Sequence, residues 1–73
     1  MNTPTTIEKL LIGYLKLSNA SETAQTLIFL MLETEDQMFE MCRFLKENPD
    51  ATGLEIAQAA TRILEQFPEM DDL

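Results

Sequence analysis

The chain has 73 residues, with 13 acidic and 5 basic side chains, no His, and a formal charge of −8. That length holds one small domain, 1–73, and an apolar content of 45% belongs to a folded chain rather than a disordered one. Without His the commonest general base and metal ligand are missing, and the one Cys, Cys42, can neither form an internal disulfide nor build a zinc site alone.

The elements are announced by a recurring helix-start pattern. In a capping box, a Ser or Thr at the N-cap and a Glu or Gln three residues on satisfy two otherwise orphaned N–H groups reciprocally. Thr5 and Glu8 fit, followed at helical spacing by Ile7, Leu10, Leu11 and Tyr14, which predicts a helix over 6–17. Gly13, inside that helix, is explained either by close approach of another helix or by drift at a tolerant position. Asn19 and Glu22 fit more loosely and open a second helix, predicted over 20–32. Thr34 and Gln37 precede Met38, Met41, Cys42 and Leu45, predicting a helix over 35–47.

The joint at 32–35 has an alternative. Positions 24, 28, 31, 38, 42 and 45 lie on one 3.5-residue track, so a single helix from 20 to 47 also fits the pattern. Thr52 and Glu55 open the last helix, predicted over 53–66, with Ile56, Ala60, Ile63, Leu64 and Phe67 on its apolar face. Asn48-Pro49 and Pro68 supply stops, and 68–73 is expected to be a flexible acidic tail. No strand pattern survives. The expected fold is all-α, a small bundle of three or four short helices joined by short turns. The most apolar helix, the second, is expected at its centre, covered by the first and fourth.

Residues 44–60, with Leu45, Pro49, Thr52, Glu55, Ile56 and Ala57 in the order Leu-x-x-x-Pro-x-x-Thr-x-x-Glu-Ile-Ala, resemble the first two helices of winged helix-turn-helix DNA-binding domains. In that family the next helix reads the major groove and a β wing follows. Here Pro68 and acidic residues follow instead, so the resemblance implies a helical hairpin without its DNA-reading elements.

The densest carboxylate cluster, Glu33, Glu35, Asp36 and Glu40, lacks the alternating oxygen ligands and central Gly of a calcium loop. Its expected role is to stabilise the start of the third helix against the helix dipole. Cys42 is expected to be a small buried hydrophobe, and Met31, Met38 and Met41 to fill gaps in the core. No Gly-rich phosphate loop is present, because Gly13 and Gly53 stand far apart. No catalytic residue, cofactor or metal is expected, and the protein is not expected to be an enzyme. A basic start and long apolar core of secretory type are not seen near Met1, so the expected compartment is the cytoplasm. A charge of −8 disfavours direct nucleic-acid binding and anionic membranes.

What remains is a protein–protein interaction module, binding itself or a partner helix. Residues 27–32, Leu-Ile-Phe-Leu-Met-Leu, cover every face of a helix at 100° per residue. With Ala20, Ala24, Leu27, Ile28 and Met31 on the core side, Phe29 and Leu30 point outward and form the expected interface, most simply of a homodimer. The alternative is a regulator linked to nucleic-acid-binding proteins, as a degenerate helix-turn-helix or as an acidic decoy for a basic partner. Because the five cations are scattered and the net charge is strongly negative, random duplex DNA should show no binding at about 150 mM salt in fluorescence anisotropy. Micromolar or tighter affinity would contradict this.

Overall fold

The computed structural model describes residues 5–68 and contains four helices: α1 (Thr6–Leu17), α2 (Glu22–Met31), α3 (Glu35–Glu47) and α4 (Gly53–Gln66). Three begin at complete capping boxes. The Thr5 N–H donates to Glu8 Oε1 at 2.7 Å while the Glu8 N–H donates to Thr5 Oγ1 at 3.3 Å. The same exchange links Thr52 with Glu55 at 2.8 and 3.1 Å, and Thr34 with Gln37 at 3.1 Å in each direction. These contacts use only neighbouring residues, so the predicted bounds of α1, α3 and α4 agree with the structure. The expected tail beyond Pro68 lies outside the described residues.

α2 departs from its expected start. Its N-cap is Ser21, whose Oγ accepts from the Ala24 N–H at 3.1 Å, and not Asn19. Asn19 instead donates its Nδ2 to the Ala51 carbonyl at 2.9 Å, tying the α1–α2 connection to the α3–α4 connection. A contact across 32 residues thus outbids a local cap, and α2 begins at Glu22.

The single-helix alternative for 20–47 is excluded by the Leu32–Thr34 break. Thr34 takes an extended conformation as N-cap of α3, with φ −108° and ψ 157°. Gln37 holds that break together. Its Oε1 accepts from the N–H groups of both Glu33 (2.8 Å) and Thr34 (3.1 Å), and its Nε2 donates to the Phe67 carbonyl at the end of α4 at 2.7 Å. At 2% exposure Gln37 is buried, so these bonds replace water that cannot reach it.

The helices form a four-sided ring. α1 neighbours α3, α3 neighbours α4, α4 neighbours α2 and α2 neighbours α1, while the diagonal pairs α1–α4 and α2–α3 do not meet at backbone distance. The core inside the ring includes Leu11, Leu15, Ile28, Leu32, Met41 and Ile56. α4 buries Ile56, Ala59, Ala60 and Ile63, all on the apolar stripe that follows Thr52 and Glu55 in the sequence, and packs the partly buried Leu64 and Phe67 against the same core. α1 and α4 do flank α2.

The expectation that α2 is the central helix fails. α3 buries Gln37, Met38, Met41, Cys42 and Leu45, whereas only Ile28 is buried within α2. The reason is geometric: α3 concentrates its apolar residues on one stripe, while α2 spreads them around its circumference and can turn only one side inward. Gly13 is exposed, and a Cβ there would meet nothing within 4 Å, so no helix approaches it closely.

Gln37 and Glu55 occupy equivalent box positions, but one is buried and the other exposed. Gln37→Ala strands buried backbone groups at the α2–α3 break and at Phe67, and should cost about 2–3 kcal/mol. Glu55→Ala should cost about 1 kcal/mol or less, because water can replace the lost contact. Urea titrations of both variants check the difference, and equal costs would contradict it.

Candidate interaction surface

Successive residues of a helix point about 100° apart, and this places the apolar run of α2. Ile28 and Leu32, four apart, both enter the core. The direction midway between them leaves Phe29 and Met31 at about 80° to either side, Leu27 at about 120° and Leu30 opposite. The burial follows this arithmetic. Leu30 is 66% exposed, Leu27 55% and Met31 38%, while Phe29 is partly buried against the core.

Leu30 therefore points outward as expected, whereas Phe29 is only half outward. Leu27 and Met31, expected on the core side with Ile28, are exposed. Those core-side placements are corrected because Leu32, which the sequence-derived face left out, draws the buried direction towards itself and away from Leu27. The outer face of α2 is a strip of Leu27, Leu30 and Met31 at i, i+3, i+4 spacing.

Beside the strip, where α2 meets α1, lies a groove of about 240 Å³ lined by Ile12, Leu15, Lys16, Gln25, Thr26, Phe29 and Leu30. Phe29 and Leu30 are thus brought together, one as wall and one as rim. Between Thr23 and Leu32 the chain carries no ionisable side chain, although a quarter of all its residues are charged.

A second groove, of about 290 Å³, lies between α1 and α3 and is lined by Leu10, Tyr14, Phe39, Cys42, Arg43, Lys46 and Glu47. Phe39 is 61% exposed there, and Leu10, read from the sequence as part of the buried stripe, is half exposed. Sequence reasoning missed Phe39. The signal was present, since Phe39 stands one residue off the Met38–Cys42 stripe just as Phe29 stands one residue off Ile28. Arg43 reaches Glu47 at 3.5 Å and Glu40 at 3.8 Å on the outer side of α3, exposed pairs of small energetic weight.

The carboxylate cluster is divided by the α2–α3 break: Glu35 and Asp36 stand in the first turn of α3, where they favour its dipole. Among the described residues no three His, Cys, Asp or Glu side chains converge as metal ligands. A larger open cleft of about 500 Å³ between α3 and α4 is lined by polar groups including Glu47, Asp50, Glu55 and Arg62. No helix among the described residues is long and apolar enough to cross a membrane.

No family model, curated protein or solved structure matches the chain.

Cys42 is buried among the core residues, and that burial pushes its thiol up from the ordinary value. A raised pKa leaves less thiolate, the reactive form, at any given pH, and only 7% of Cys42 is exposed, where it borders the groove between α1 and α3. At pH 8 an aromatic disulfide reagent should react with the folded chain at least about tenfold more slowly than with the urea-unfolded chain. Equal rates, followed by absorbance, would place the thiol at the surface.

Proposed function

We propose that the protein is a non-catalytic protein–protein interaction module whose contact face is the outer side of α2, with Leu30 at its centre. The observation that carries this reading is the exposure of Leu27, Leu30 and Met31 on a helix whose opposite side enters the core. Three adjacent large apolar side chains in water lose free energy that a covering surface restores, at about 25 cal/mol per Å² of apolar area. A strip of this kind, flanked by Thr23 and Thr26 on its own helix and by Lys16 across the α1–α2 groove, has the composition of an interaction site: an apolar middle with a polar margin. Phe29 supports Leu30 from below as part of the adjoining groove. The net charge of −8 supports protein rather than nucleic acid or an anionic membrane as the partner. The cytoplasm is the compartment we assign, a single buried thiol with no second Cys being suited to a reducing environment.

Leu30→Glu should leave a helical chain that unfolds cooperatively, while removing self-association and any capture of a partner from native lysate. Ile28→Glu, on the buried side of the same helix, should unfold the chain by placing an unpaired carboxylate in the core. Circular dichroism separates these outcomes. The reading fails if Leu30→Glu unfolds the protein. It fails equally if the unmodified chain neither self-associates at about 50 μM nor captures a partner through Leu30.

A further inference from the structure

We infer that the α2–α3 joint is a hinge, able to straighten into one continuous helix and so let two copies of this chain exchange their α1–α2 halves. In the exchanged dimer, α1 and α2 of each copy pack on α3 and α4 of the other, and the bundle is built twice. This exchange uses the core contacts and needs none at the outer face of α2, so it goes beyond the interaction-module reading.

The backbone of the joint is suited to a helix. Leu32, Glu33 and Thr34 include neither Gly nor Pro, none has a positive φ, and Leu and Glu are good helix formers. The track of 24, 28, 31, 38, 42 and 45 runs through the joint in phase, with Glu35 in its one slot that is not apolar. At the end of α2 the Phe29 and Leu30 carbonyls have passed the last helical turn. Straightening gives them the N–H groups of Glu33 and Thr34, which the Gln37 oxygen now accepts. Side-chain capping by Thr34 and Gln37 holds the joint bent.

Topology supplies the partner. α2 and α3 stand diagonally and do not meet at backbone distance, so opening the joint parts nothing between them. What crosses the joint is the packing of α1 on α3 and of α2 on α4, and the bond from Asn19 to the Ala51 carbonyl. Neither half has a core alone: Leu11, Leu15 and Ile28 come from the first, and Met41, Leu45 and Ile56 from the second. An opened chain therefore bares two complementary faces, and a second opened copy carries the surfaces already shaped to cover both. Two sets of Gln37 contacts are given up per dimer, so exchange is favoured by high concentration.

Refolded from urea at about 1 mM, the unmodified chain should give a dimer beside the monomer in size-exclusion chromatography. Glu35→Pro tests the hinge. Glu35 is the first residue of α3, where its N–H has no helical partner, and Thr34 before it has the extended conformation a following Pro requires. This variant should stay helical and unfold cooperatively as a monomer. In a continuous helix the same Pro loses the bond to the Met31 carbonyl, so the dimer yield should fall at least about tenfold. Thr34→Ala removes a cap of the bent form alone and should raise the dimerisation constant at least about tenfold. Leu30→Glu, which faces outward in both forms, should leave the refolded dimer unchanged within about twofold. In a dimer refolded from isotope-labelled and unlabelled chains, filtered NMR contacts should link Tyr14 of one copy with Phe39 of the other, since both line the α1–α3 groove. An unmodified chain that stays monomeric overturns the inference, as does a dimer that persists in Glu35→Pro or lacks those contacts between copies. A dimer lost in Leu30→Glu would belong to the outer face of α2, overturning the exchange and leaving the module reading standing.

Discussion

The side-chain amide of Gln37 is the contact on which this fold turns. Its oxygen takes the two N–H groups freed where the chain breaks between α2 and α3, and its nitrogen holds the last carbonyl of the bundle, that of Phe67. An amide serves here because it offers acceptor and donor together. A Glu, as in the other two boxes, could accept from the break but could not donate to Phe67 in its ionised form. One residue thereby ends the apolar phase that would otherwise run on from α2 into α3, and anchors the fourth helix to the start of the third. Its burial makes the arrangement costly to leave half-made, and among the described residues no buried side-chain nitrogen or oxygen lacks a partner.

The other end of the bundle is joined more lightly, by Asn19 to Ala51. With both ends tied, the four helices close into a ring and the buried side chains meet inside it. α3 has the clean stripe and takes the largest share of the core. α2 brings more apolar surface than its side of the ring can use. Among the described residues no further element lies over that excess, and small domains bury a smaller fraction of their surface than large ones. The exposed strip is thus a consequence of how few helices there are and of how evenly α2 spreads its apolar residues.

The same economy shapes the functional reading. Carboxylates are spread along the rest of the chain, while α2 carries none after Glu22 in its first turn. Apolar exposure and the absence of carboxylates coincide on the outer face of α2, with Lys16 of α1 the ionised group beside it. The groove at Phe39 is bordered by three ionised groups, Arg43, Lys46 and Glu47, against Lys16 alone at the α1–α2 groove.

By itself the sequence determined the all-α class, the bounds of three helices, and the burial of Cys42 and of the α4 face. Capping boxes and i, i+3, i+4 stripes are relations between residues a few positions apart, and their energetics are complete within one helix. The outward position of Leu30 was legible for the same reason, being opposite Ile28 on any helical wheel. Tertiary structure decided the rest. Asn19 was an acceptable cap until Ala51 claimed its amide, and Gln37 looked like an ordinary box residue until Phe67 stood beside it. The inward side of α2 was undecided because a helix apolar all round has no preferred face of its own. Its orientation came from where α1 and α4 stood, which turned Ile28 and Leu32 into the core and left Leu27 and Met31 to water.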